Sequence, residues 1–431
     1  MFINSISSKN NEKSYFKGAI FNTCASVESN ILLNKAITDI GGFVIPQAIM
    51  SNNKDEAKER VFKSMLYFVF TFVSPFLLLP LINKHFLKKN KIIENLGNEQ
   101  KRILEVSKKY LTKDGNYLKK GIKETAVKLF DDENKFDQII SKYDDLEVLR
   151  KSLIDVHTKI HAADLLTTNL MVASIPWLGN AYTKYRTRRS GYSGAYKLAD
   201  ENFTEQAAMK HDKSKKLRQV ATFFSAILPA LLLPSLIRNG MLGNSQNKIL
   251  KWFNKNANKF DYKSGIYMSR LTALAMWISS DYIPYQLASR DKYEYRDCLI
   301  RGTSIGFVFW GGDLFLKKFL SNYSYKIFKT KLINQDTKEP YRLSDLKHKL
   351  IESGVMDEKI LRKTRNLGVV FYLLNLLLVS ATLGFGLPIF LNKFLKNSID
   401  KDLNDSTYDF SFINKSEVFK DFYTKKGKNI L

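Results

Sequence analysis

What most constrains this chain is an alternation of charge-free apolar runs with lysine-rich polar blocks. The run MLYFVFTFVSPFLLLPLI, from Met65 to Ile82, carries no charge over 18 residues. That is close to the ~20 residues a helix needs to cross a bilayer's hydrocarbon core. Two further runs, Val220 to Ile237 and Leu367 to Leu391, are at least as long and also uncharged. A chain of this kind is expected to be an all-α, multi-pass integral membrane protein. Four weaker segments could join the three strong ones: Ile31 to Met50, Leu165 to Tyr182, Leu271 to Ala288 and Gly302 to Leu316. Each contains a carboxylate, a lysine or asparagines, as expected of a helix facing a bundle interior, a re-entrant piece or an interfacial helix. The expectation is five to seven crossings in a cell or inner membrane.

Composition removes several classes. Two cysteines in 431 residues build neither a disulfide framework nor a cysteine-based zinc site. An aromatic content of 13% excludes disorder over the whole chain. The N-terminal stretch lacks the basic region and apolar core of a cleavable signal peptide, so insertion is expected to use the first membrane helix. The net charge of +26 suits contact with anionic lipid head groups, worth ~1 kcal/mol per Lys or Arg near the surface.

The apolar segments repeat a pattern. Pro75-Phe-Leu-Leu-Leu-Pro80 in the first strong run returns as Pro229-Ala-Leu-Leu-Leu-Pro234 in the second. Each is preceded by a basic stretch and, before that, by an apolar segment containing Ile-Pro, at Pro46 and Pro176. A third Ile-Pro lies at Pro284, and a partial fourth copy at Pro388. From Pro46 to Pro75 is 29 residues, and the same step from Pro284 reaches Asp313 inside the next apolar segment. The expected unit is a helical hairpin: helix a, a basic a–b loop, then helix b. Pro46, Pro75, Pro80, Pro176, Pro229, Pro234, Pro284 and Pro388 are the expected kink positions.

This gives a polar segment 1–30, hairpins 31–86, 161–243 (with a basic loop 183–219) and 267–320, and a final helix 362–396. Polar insertions lie between them at 87–160, 244–266 and 321–361, with a polar tail 397–431. Gly115-Asn116 is expected to break helix in the first insertion. The a–b loops are expected on the cytoplasmic side.

The residues that could carry chemistry are few. Asp39, Asp281 and Asp313 are the possible intramembrane polar site, with Lys317 able to pair with Asp313 at i,i+4. His157, His161 and Asp164 share one helical face at a spacing that can bind metal, but no further ligand is apparent, and a surface or interfacial face is the favoured reading. Lys184, Arg186, Arg188 and Arg189, interleaved with tyrosines, are expected to contact lipid head groups, with nucleic acid unfavoured. No GxxxxGK[ST], GxGxxG, GxSxG or HExxH occurs, so no catalytic residue or cofactor is expected. The favoured function is a non-enzymatic membrane-organising or partner-anchoring role, with residues 87–160 available to a protein partner. The rivals are a secondary transporter using the proline-broken helices and Asp281 and, third, a lipid-modifying enzyme needing the His157/His161/Asp164 face.

Overall fold

The computed structural model describes residues 19–94, 99–130, 134–199, 201–212, 214–243, 246–262, 267–312 and 358–413, with a few isolated positions between them. Asp313 and Lys317, most of 321–357 and the end of the tail lie outside the described residues. Among the described residues the protein is all-helical, without strands.

Three helices are long and apolar enough to cross a membrane: α2 (Lys54–Lys89), α4 (Lys215–Leu242) and α8 (Arg362–Asn404). They contain the three strong apolar runs. Ahead of α2 stands α1, made of Ile31–Lys35, a π-helical stretch Ala36–Val44 and Ile45–Ile49. Between α2 and α4 runs α3, Leu146–Thr187, a single helix of 42 residues. After α4 come the short α5 (Lys248–Lys255), then α6 (Arg270–Met276, π-helical Trp277–Tyr282, Ile283–Leu287) and α7 (Lys292–Gly306).

The prolines act in two ways. Pro80, Pro176, Pro229 and Pro234 sit inside helices that stay α-helical around them. Before Pro46, Pro75, Pro284 and Pro388 the helix widens to π form, over Ala36–Val44, Val69–Val73, Trp277–Tyr282 and Ser380–Gly386. A proline has no N–H to give and its ring crowds the carbonyl one turn back, which a wider turn relieves. The carbonyl five residues earlier is then left without its helical donor, and in three of the four cases a side chain supplies one. Gln47 Nε2 donates to Leu383 O at 3.2 Å, Ser225 Oγ to Ser279 O at 3.0 Å, and Ser74 Oγ to Phe70 O at 2.5 Å.

The chain divides into two compact units, Met1–Ile49 with Thr303–Leu387 and Met50–Gly302 with Pro388–Leu431. In the first, α1 packs on residues 358–387 through small residues. A Cβ placed on Gly384 would lie 2.6 Å from Gly42 O and 3.0 Å from Pro46 Cβ, so only glycine allows the helices so close. Further along the same pair of helices, Tyr372 Oη donates to Asn34 Oδ1 at 2.8 Å.

The second unit has two poles joined by α3. At one, Leu87 near the end of α2 and Met241 near the end of α4 share a core with Leu149, Leu153 and Ile160 of α3 and with the helices of the 91–140 region. The Gly115–Phe130 helix begins at the expected break, where Gly115 is pressed against the backbone of Leu146 and Glu147. Gly243 closes α4 with φ +77, a left-handed cap that glycine adopts without strain. At the other pole α2 and α4 begin and α8 ends. Midway, Asn169 Nδ2 of α3 donates to Ala226 O of α4 at 2.8 Å, and Trp177 Nε1 to Thr222 Oγ1 at 3.3 Å.

Replacing Gly384 by alanine should lower the thermal midpoint of the purified protein, by the ~1–3 kcal/mol typical of overpacking. Gly41 has open space where its Cβ would go. Its alanine variant should be neutral or up to ~1 kcal/mol more stable, from helix propensity alone.

Candidate functional site: a buried ionic cluster

At the pole where α2 begins, a set of charged residues is folded inward. Glu56 and Glu59 of α2 are buried, as are Arg290, Asp291 and Glu294 or the side chains they carry. Asn53 caps α2, its side chain accepting from the amides of Asp55 and Glu56 at 3.0 and 2.9 Å. Asp291 caps α7 in the same manner, accepting from Tyr293 and Glu294 at 2.9 and 2.8 Å. In each turn a glutamate reaches back to the amide before the cap: Glu56 to Asn52 N and Glu294 to Arg290 N, both at 2.7 Å. A cap with a glutamate three residues on satisfies otherwise orphaned helix donors in both directions.

The two turns correspond residue by residue. Serine, lysine and glutamate stand five, eight and ten residues after Pro46 (Ser51, Lys54, Glu56) and after Pro284 (Ser289, Lys292, Glu294). One turn further, the i,i+4 ion pair Glu59–Lys63 matches Asp297–Arg301. The segment after Pro176 departs from this pattern. There α3 runs on to Thr187, and the following loop packs between the two turns instead.

Glu59 is where all three segments meet. Its Oε1 accepts from Arg290 at 2.8 Å and pairs with Lys63, and its Oε2 accepts from Thr183 Oγ1 at 2.8 Å and Ser193 Oγ at 2.7 Å. Arg290 also holds Glu294 through Nε at 2.8 Å, and lies over the Tyr192 ring. Lys63 bridges onward to Asn180 Oδ1 at 3.3 Å and Glu294 at 3.6 Å. Asn53 Nδ2 donates to Ser193 O at 2.7 Å, and Asn180 Nδ2 to Ala288 O at 2.7 Å. The head of α4 joins through Arg218, which donates to Leu287 O and Ser289 O at 2.8 and 2.6 Å. The end of α8 joins through Asp402, which takes Tyr293 Oη at 2.6 Å and Lys292. Removing one partner of such a buried array leaves an uncompensated charge, a loss of ~3–5 kcal/mol.

Of the four basic residues expected to contact lipid, two have ion-pair partners within the protein. Arg186 pairs with Asp55 at 2.9 Å and Arg189 with Glu201 at 2.9 Å. Lys184 and Arg188 are exposed. Of the polar residues expected within the membrane, Asp39 lies 3.8 Å from Lys35, and both Asp39 and Asp281 fall inside π-helical stretches.

His157, His161 and Asp164 form a second buried group, correcting the expectation of a surface face. The reason is Lys108 and Tyr262, which fold over them. Tyr262 Oη donates to Asp164 Oδ2 at 2.8 Å, the Tyr262 ring stands 5.7 Å from that of His161, and Lys108 Nζ lies 5.4 Å over the Tyr262 ring. Burial and the Lys108 charge hold His157 well below its usual pKa. Neutral imidazoles are the form that binds metal, yet no group of three or more His, Cys, Asp or Glu among the described residues is arranged to hold an ion.

Comparison of the chain with protein-family models, curated proteins and solved structures finds no match in any of the three. The site must therefore be read from its own chemistry. Sequence reasoning missed the cluster because its i,i+4 pairs look like a solvated helix face. The signal that could have revealed it is the shared Ser, Lys and Glu spacing after Pro46 and Pro284.

Burial pushes the Asp291 carboxyl up to about 6, against the two amides that donate to it. An unfolded aspartate titrates near ~4. Between these values the unfolded chain has lost a proton that the native state keeps, so stability falls as pH rises through this window. Asp291→Asn keeps both cap bonds and removes the ionisation, reproducing what Asn53 does in the matching turn. The variant's thermal midpoint relative to the parent should climb from pH 4 to 6 and plateau above. A constant difference across that range would contradict the assignment.

Proposed function

We propose that the chain is a multi-pass membrane protein built from repeated helical hairpins, with a membrane-organising or partner-anchoring role rather than a catalytic one. The observation that carries this reading is the meeting of the three connections, after Pro46, Pro176 and Pro284, on Glu59. Hairpins that enter the membrane in the same direction must return their a–b loops to one side. The matching caps at Asn53 and Asp291 support descent of the first and third hairpins from one unit. An uneven number of crossings is supported by α8, which ends where α2 and α4 begin. A cluster closed by so many charge-assisted bonds locks helix ends together, which suits a scaffold that holds its neighbours in register.

Contact with anionic lipid would fall to the exposed Lys184 and Arg188 and to lysines past the far ends of α2 and α4. A protein partner would meet the 91–140 region, where Lys119, Lys120 and Lys123 are exposed. A transporter is the second reading, favoured by one observation: Asp39 and Asp281 each occupy a π-helical stretch, a geometry often found at functional sites. Vesicles carrying the protein should hold an imposed proton gradient as well as empty ones. Leakage abolished by Asp281→Asn would favour transport.

The architecture is tested by labelling. Single cysteines at the exposed positions Lys58, Lys184 and Arg296, with Cys24 and Cys298 replaced by serine, should all react with an impermeant thiol reagent from one side of sealed membranes. Cysteines at Lys88, Lys119 and Lys251 should react only from the other. A split among the first three would break the hairpin reading.

A further inference from the structure

The short helix α5, KILKWFNK, follows α4 after the glycine cap and folds back onto its end. Phe253 packs against Gly240 of α4 and enters the core shared by Leu87 and Met241, and Asn254 Nδ2 donates to Gly240 O at 2.8 Å and Thr112 O at 3.0 Å. At about 100° per residue, the helix then presents three faces in order around its axis. Phe253, Leu250 and Asn254 turn to the protein. Lys248, Lys251 and Lys255 form an exposed cationic face. Between these two faces runs a strip of Ile249 and Trp252, 60% and 46% exposed. An indole and an isoleucine left open beside a row of lysines need a cover with an apolar layer bordered by negative charge. The ends of α2 and α4 lie in the same core, and α2 adds Lys84, Lys88 and Lys89, all exposed, to the same pole.

We infer that α5 is an interfacial element seated on the anionic surface of the bilayer that α4 leaves, with Trp252 and Ile249 at the boundary of head groups and acyl chains and Lys248, Lys251 and Lys255 on lipid phosphates. Continuity with α4 names the occupant, since a helix tied to the last turn of a membrane span has that bilayer as its nearest apolar surface. Tryptophan belongs at this depth because its ring is apolar and its N–H is polar. Lysines beside it draw anionic lipid and lose that attraction as salt rises. The inference rests on the membrane reading above and assigns it a site away from the loop 183–219.

The test uses the full chain with Trp177, Trp277 and Trp310 replaced by phenylalanine, leaving Trp252 as sole reporter, in vesicles of neutral and anionic phospholipid. In anionic vesicles Trp252 should lose about half its fluorescence to lipids brominated at shallow acyl positions and little to aqueous acrylamide. Combining this with Lys248→Gln, Lys251→Gln and Lys255→Gln should cut the lipid quenching about twofold in anionic vesicles and leave it unchanged in neutral ones. A control chain with Trp252→Phe and Phe224→Trp reports on the apolar stretch of α4. If the control is quenched by lipid while Trp252 is reached by acrylamide, the inference is overturned and the membrane reading stands. If Trp252 is shielded from both quenchers, a protein surface covers it and the inference is likewise overturned. Unchanged quenching in the lysine variant overturns the anionic assignment, and a control that lipid does not quench overturns the membrane reading itself.

Discussion

A carboxylate withdrawn from water must find its charge elsewhere, and the position of Glu59 follows from that need. Three segments supply its partners: Lys63 on its own helix, Thr183 and Ser193 around the end of α3, and Arg290 before α7. Each partner in turn fixes another piece of backbone. Arg290 orients Glu294, whose other task is the cap of α7, and Lys63 reaches Asn180, which holds the carbonyl of Ala288. The apolar helix faces make few directional contacts, so they alone do not fix which helix ends meet. Directional polar contacts decide which helix ends meet.

The same logic applies inside the apolar helices. Proline widens a turn and strands a carbonyl, and a nearby Ser or Gln supplies the missing hydrogen. Where the donor comes from another helix, as Gln47 to Leu383 and Ser225 to Ser279, the defect becomes a contact between helices. The prolines therefore specify packing partners as well as local shape.

Much of this was legible in the sequence. The three long helices coincide with the three uncharged runs because length and lack of charge are local properties that the solvent alone reads. The break at Gly115 was equally local. The ionic cluster was not legible, since Glu56, Glu59, Lys63 and Arg60 at i,i+4 spacing resemble a solvated face, and the distant Arg290 that pairs with Glu59 leaves no mark near it. The ion pairs of Arg186 with Asp55 and of Arg189 with Glu201 were not legible either, since those partners come together only once the chain is folded. The His157/His161 face read as surface because nothing on that helix announces that Lys108 and Tyr262 will cover it. The unbroken course of α3 through 160 and 161 also escaped notice, since an amphipathic stretch and an apolar one can join in one helix without any residue to mark the change.

Glu59 and Arg290 tie distant helix ends together, and a double-mutant cycle between them tests this most directly. Glu59→Gln, Arg290→Gln and the double variant would be compared with the parent by reversible unfolding in mixed micelles. A coupling energy of ~2–3 kcal/mol is predicted, since contacting members of one network show couplings of up to about that size. Additivity within ~0.5 kcal/mol, as found for independent sites, would contradict it.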